Sequence, residues 1–325
     1  MKDPDNLLNN TKNLHGPLSQ ERLKEELTGY RISLPQTQFE RMIQVATIIP
    51  RVLLAVLQDL LQLILAGSVT IAELCGANYN PSHPNADAIP NGAFHGSGFH
   101  KGQWAIWHLL LGRKHTYSVS YAEGILSNDP KTSITAYAKS EKVVNFIKTI
   151  RGKHKTKKIN LKGHSMGGLV ALEVARLIRN KDAAYAHIDV EIENVFLYNC
   201  PIRGTPTLDL LPNENKAQRY KDMSINSEYR HNLMKESLKA ERQGKLRIHC
   251  AYSTTDFAVP NYSGKCGSNP KRRREFSYHG HFTAATSLRI LWQDIVWNRE
   301  IAARDNRSKQ PKLIEQQEKQ IAIKI

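Results

Sequence analysis

The chain reads as an α/β protein: a mostly parallel central sheet flanked by helices. Three observations predict this. Strand-like runs alternate with helical runs from about residue 85 to 300, the rhythm of a parallel sheet built from strand–helix–strand units. A sharp strand–turn–helix junction centres on Ser165. The length, 325 residues, suffices for one full α/β core with extensions.

In chain order, residues 1–80 form an extension outside that rhythm. Its first half is polar and rich in Asn, Gln and Lys, and 41–76 reads as helical. Leu53, Leu54, Leu57, Leu60, Leu61, Ile64 and Leu65 fall at helical spacing beside a narrow polar stripe of Gln58, Asp59 and Gln62. Packing on the core is the expected use of this helix, with contact to lipid or substrate the alternative. The α/β domain spans 81–302. Strands are expected up to 94 and at 115–121, 159–162, 189–198 and 245–252; helices at 101–111, 133–150, 169–178 and 283–298. Residues 205–243 are charged and helix-prone and break the rhythm, so they read as a helical cap. Residues 303–325 form a charged tail.

Gly163-His164-Ser165-Met166-Gly167 is a G-x-S-x-G pentapeptide between a strand-like run and a helical one. In that setting a serine sits on a strained turn, with its hydroxyl exposed and helix-opening amides beside it. Glycine is needed where the strand and helix backbones nearly touch. A hydroxyl is a poor nucleophile, so a serine used this way requires a base, a group that orients the base, and donors for an oxyanion. The order Ser, Asp, His is available downstream. Asp256 follows the strand-like run ending at Tyr252 and precedes an apolar residue and a proline. His281 lies directly before the last helix, and is preferred over His279 as the base. Upstream, the glycine-rich loop Phe94-His95-Gly96-Ser97-Gly98 suits the oxyanion side, with the backbone N–H groups of Ser97 and Met166 as donors. His95 is expected to be a hydrogen-bonded structural histidine. The strand before Ser165 alternates Ile159 and Leu161 with Asn160 and Lys162, which predicts one face less covered than usual for a central parallel strand.

These stretches resemble the α/β-hydrolase lipases and esterases, especially the bacterial triacylglycerol lipase-like and PGAP1-like groups. Cys200-Pro201-Ile202-Arg203-Gly204-Thr205-Pro206 and Thr255-Asp256-Phe257-Ala258-Val259-Pro260 carry the likeness further. The resemblance covers about residues 85–300. It implies an α/β-hydrolase fold and a serine hydrolase of carboxylic esters, foremost lipid esters. Ser165, Asp256 and His281 are its triad, and neither a metal nor an organic cofactor is required. The same triad serves thioesterases and acyltransferases, and a binding protein can keep the shell without activity.

Lys and Arg number 46 against 30 Asp and Glu, a formal net charge of +16. That balance favours anionic partners. With no nucleic-acid-binding signature, an anionic membrane surface is the expected partner beside the ester substrate, and no specific nucleic acid is expected. The basic runs 151–158 and 271–274 each precede a strand and read as loops at the edge opposite the site. The four cysteines, Cys75, Cys200, Cys250 and Cys266, show no metal-binding spacing and demand no disulfide, although Cys250 and Cys266 flank the Asp256 loop and can pair in an oxidising compartment. A polar N-terminus and an apolar stretch interrupted by Pro50, Arg51 and Asp59 predict no signal peptide and no membrane span. A cytoplasmic or peripheral-membrane location follows, with signal-peptide-independent export as the alternative.

Overall fold

The computed structural model describes residues 53, 57, 60, 64, 80–81, 84–97, 101–104, 115–122, 132–209, 217–253, 256, 258–259, 261–264, 266–276, 281, 290, 292–301 and 303. The expectations for the first fifty residues, the tail beyond 303, His279 and much of the helices expected at 101–111 and 283–298 lie outside these residues.

Among the described residues, six strands form one sheet: β1 (Asn91–Phe94), β2 (Thr116–Val119), β3 (Lys158–His164), β4 (Glu191–Tyr198), β5 (Arg247–Ser253) and β6 (Arg273–Phe276). Their order is β2-β1-β3-β4-β5-β6. Every neighbouring pair is parallel. Parallel neighbours need a crossover connection, so helices cover both faces. Side chains alternate accordingly. Val195 and Leu197 of β4 join one apolar cluster, with Ile159 and Leu161 of β3 and Ile248 and Cys250 of β5. Phe196 and Tyr198 join the other, with Trp104, Ile290 and Trp297.

The first cluster is closed by α1 (Ile134–Lys139), α2 (Glu141–Lys153) and α3 (Met166–Arg179). One helix was expected over 133–150, and the structure breaks it at Ser140. That residue is extended, and its hydroxyl accepts from Val143 N–H at the start of α2. It also donates to the Tyr137 carbonyl at 2.8 Å, so one serine ends α1 and caps α2. The second face is covered by the 3-10 turn Lys101–Trp104 and a helix over 292–300.

The stretch read as a cap holds α4 (Pro206–Asp209), α5 (Gln218–Met223) and α6 (Glu228–Arg242). Of these, α6 packs on α3 and carries the chain from β4 to the parallel β5. It therefore serves as the crossover helix of the sheet. Arg230 anchors it, donating to the Ile202 carbonyl at 3.0 Å from a buried position. α5 lies against α1, where Asp222 accepts from Ile134 N–H at 2.8 Å.

Three further expectations differ from the structure. Asn160 and Lys162 are buried, so β3 is covered on both faces. Asn160 accepts from Asn194 Nδ2 at 2.9 Å, and Lys162 Nζ meets Asp294 Oδ2 at 2.5 Å, both side chains fully enclosed. Cys250 and Cys266 form a disulfide, closing the segment that carries Asp256. Leu53, Leu57, Leu60 and Ile64, expected on the packed face of a helix, are helical but 57%, 54%, 54% and 59% exposed; Leu54, Leu61 and Leu65 of the same expected face lie outside the described residues. Among the described residues no helix is long and apolar enough to cross a membrane.

The run 151–157 precedes β3 at the end of the strand opposite Ser165, and carboxylates meet its cations. Lys155 pairs with Asp87 at 3.0 Å and Lys157 with Glu191 at 2.9 Å. Arg273 and Arg274, expected before a strand, lie within β6.

Candidate active site

Ser165 joins β3 to α3 with φ 52° and ψ −127°, a left-handed backbone that costs a side-chain-bearing residue about 1–3 kcal/mol. The turn is held because its neighbours leave no alternative. A Cβ on Gly163 would fall on the Gly167 backbone, and one on Gly167 would fall on the carbonyls of Phe94 and His95. Ser165 N–H donates to the Tyr198 carbonyl of β4 at 2.9 Å. The serine is nearly buried, and α3 begins with the next residue.

His281 Nε2 lies 2.9 Å from Ser165 Oγ, and its Nδ1 lies 2.8 Å from Asp256 Oδ2. A carboxylate accepts, so Nδ1 carries the proton and Nε2 accepts from the serine hydroxyl. The second oxygen of Asp256 accepts from Ala258 and Val259 N–H, each at 2.8 Å. The Thr205 hydroxyl holds the same loop by donating to the Ala258 carbonyl at 2.5 Å. All three side chains are buried. They come from the ends of β3 and β5 and from beyond β6, which the parallel sheet gathers at one edge.

The loop after β1 closes the other side. A Cβ on Gly96 would lie 3.2 Å from Ser165 Cβ and 2.9 Å from His164 Nδ1, so the loop passes directly over the serine. Ser97 follows, partly exposed, with its hydroxyl 3.5 Å from the Tyr220 hydroxyl of α5. Part of the stretch read as a cap therefore reaches this loop. Met166 opens α3, where an amide has no intrahelical acceptor. His95 is hydrogen-bonded, as expected: its ring donates to the Gly96 carbonyl at 2.8 Å and stacks on Tyr121 with centroids 4.4 Å apart.

Two residues assigned no role from the sequence complete the setting. Gln103 Oε1 accepts from Gly96 N–H at 2.9 Å, and its Nε2 lies 2.9 Å from His164 Nδ1. His164 Nε2 donates to the His281 carbonyl at 2.7 Å. Burial, followed by the neighbouring His281, pushes the His164 imidazole down to about 3, so it is neutral. His164 was visible only as the variable position of the pentapeptide, and Gln103 carries no signal in the sequence. Chemically, the arrangement can move a proton from Ser165 Oγ to His281 Nε2 and hold the resulting imidazolium against Asp256.

Residues 120–209 match the model of a family described as alpha/beta hydrolase of unknown function (DUF900). No curated protein matches the chain. Among solved structures, the mature form of Bacillus licheniformis lipase BlEst2 is similar at 14% identity, with 63% of this chain and 89% of that chain covered and a TM-score of 0.45. The lin2722 gene product of Listeria innocua is similar at 13% identity, 64% and 92% coverage and a TM-score of 0.42. Phospholipase PlaB from Legionella pneumophila is similar at 12% identity and a TM-score of 0.41; 51% of this chain is covered, but only 39% of that one. The parallel sheet, the strand–turn–helix at Ser165 and the family match over 120–209 show that this chain has an α/β-hydrolase fold.

Proposed function

We propose that the protein is a serine hydrolase of carboxylic esters, with lipid esters as its substrate class. The unbroken chain of hydrogen bonds from Asp256 through His281 to Ser165, at 2.8 and 2.9 Å, carries this reading. Ser165 Oγ attacks the ester carbonyl while His281 Nε2 takes its proton, and Asp256 fixes the tautomer and stabilises the imidazolium. The amides of Ser97 and Met166 hold the oxyanion, a contribution worth about 2.7–4 kcal/mol per donor in comparable sites. His281 then protonates the leaving alcohol, and water, deprotonated by the same imidazole, releases the acyl group from Ser165.

The lipid assignment is supported by the exposed Leu53, Leu57, Leu60 and Ile64, together with the excess of basic residues. An apolar stripe and positive charge suit the surface of an anionic lipid aggregate. The test is hydrolysis of esters of increasing acyl length, soluble and vesicle-borne, by wild type and Ser165→Ala. Turnover that rises at the vesicle surface and vanishes in the variant is expected. Equal turnover by the variant would refute Ser165 as nucleophile, and turnover of short soluble esters alone would refute the lipid class.

A further inference from the structure

The serine, the base and the oxyanion loop come from distant parts of the chain. One buried pair of side chains, Gln103 and the residue next to the serine, His164, bonds to the loop at Gly96 and to the His281 carbonyl. The hydrogen-bond roles in that pair have a single consistent assignment. A backbone N–H only donates, so the Gln103 atom 2.9 Å from Gly96 N is the amide oxygen. Its other end is then NH2, which donates to His164 Nδ1 at 2.9 Å. Nδ1 thus bears no proton and Nε2 does, donating to the His281 carbonyl at 2.7 Å. Gly96 directly precedes Ser97, and His164 directly precedes Ser165.

We propose that Gln103 and His164 are positioning residues: a buried clamp that holds the Ser97 amide and the His281 ring in register with Ser165 Oγ. The proposal rests on the ester-hydrolase reading. Filling the core does not require these residue types. An amide and an imidazole are costly to bury unless each polar atom is satisfied, and here they are linked in one relay. The fit is close, since a Cβ on Gly96 would press on His164 Nδ1. Lys162, on the same face of β3, shows the contrast. Its ion pair runs to the helix over 292–300, away from the serine. Among the described residues, the titratable groups facing His164 are His281 and His95.

The clamp acts on geometry that matters most in the transition state. Its loss therefore lowers kcat more than it raises KM. Wild type, Ser165→Ala, Gln103→Leu and Gln103→Glu are compared by hydrolysis of p-nitrophenyl butyrate from mildly acidic to alkaline pH, with melting curves for each. Gln103→Leu should lower kcat about 10–100-fold with KM nearly unchanged. Gln103→Glu keeps the acceptor for Gly96 N–H but turns a second acceptor toward His164 Nδ1. The relay then closes only while a proton lies between them, so this variant should acquire an alkaline limb that wild type lacks. A folded Gln103→Leu with wild-type kcat overturns the clamp. Should Gln103→Leu fail to fold, a Gln103→Glu profile superimposable on wild type overturns it equally. Wild type showing no turnover beyond Ser165→Ala sinks the hydrolase reading and the clamp with it. Wild-type turnover beside an unaffected Gln103→Leu sinks the clamp alone.

Discussion

Ser165 holds a left-handed backbone at φ 52°, and Asn199, at the end of the adjacent strand, holds another at 44°. Asn199 is compensated because its side-chain oxygen accepts from Ser253 N–H at 3.0 Å. Ser165 is held instead by glycines on both sides. Local rules of this kind are readable in sequence, since the glycines and the serine lie within a few residues. The role of His164 was not readable, because Gln103 and His281 are 61 and 117 positions away. His164 also makes stability depend on pH. Its folded pKa of about 3 lies below the ordinary 6.5. Above that ordinary value its contribution is complete, and as pH falls toward 3 the unfolded state binds a proton that the folded state refuses. Stability should therefore decline as pH falls between those limits, on account of this group. Urea unfolding at several pH values checks this: the slope should shrink in His164→Asn, and an unchanged slope would contradict it.

At the scale of elements, β3 shows why a period-2 pattern can mislead. Asn160 and Lys162 alternate with Ile159 and Leu161, the signature of a half-exposed strand, yet both are buried. The polar face is satisfied by partners the strand itself does not reveal. Asp294 takes Lys162 on one oxygen and the Tyr198 hydroxyl on the other at 2.6 Å, and Asn298 donates to it at 2.8 Å. This cluster ties the strand leading to Ser165 to the helix that follows His281 in sequence. Lys162→Met leaves the Asp294 carboxylate enclosed without its cation and should cost about 3–5 kcal/mol. Adding Asp294→Leu should recover much of that loss. A single variant as stable as wild type in urea would show that the pair does not carry the local packing. The helices at 218–223 and 228–242 were legible from composition. Their placement was not, because α6 serves the sheet as the β4–β5 crossover while α5 reaches the Ser97 loop.

For the whole molecule, the alternation of strands and helices and the turn at Ser165 were enough to anticipate a mostly parallel sheet flanked by helices. Long-range closures were not legible. The Cys250–Cys266 disulfide spans 16 positions and encloses Asp256, although four cysteines in this length demand none. Replacing both cysteines with serine should lower stability by about 3 kcal/mol, read as a shift in the urea midpoint; an unchanged midpoint would show that the bridge does not support this region. Leu53, Leu57, Leu60 and Ile64 likewise read as core-facing in sequence, with lipid contact as the alternative, and these four are exposed. The central claim is that these closures assemble an activated serine. Labelling with a fluorophosphonate, wild type beside Ser165→Ala, with the adduct mapped by peptide mass spectrometry, tests it most directly. The account predicts one adduct, on Ser165, absent from the variant and suppressed in His281→Ala. Folded wild-type protein that stays unlabelled in the presence and absence of lipid vesicles, or an adduct on another serine, would contradict it.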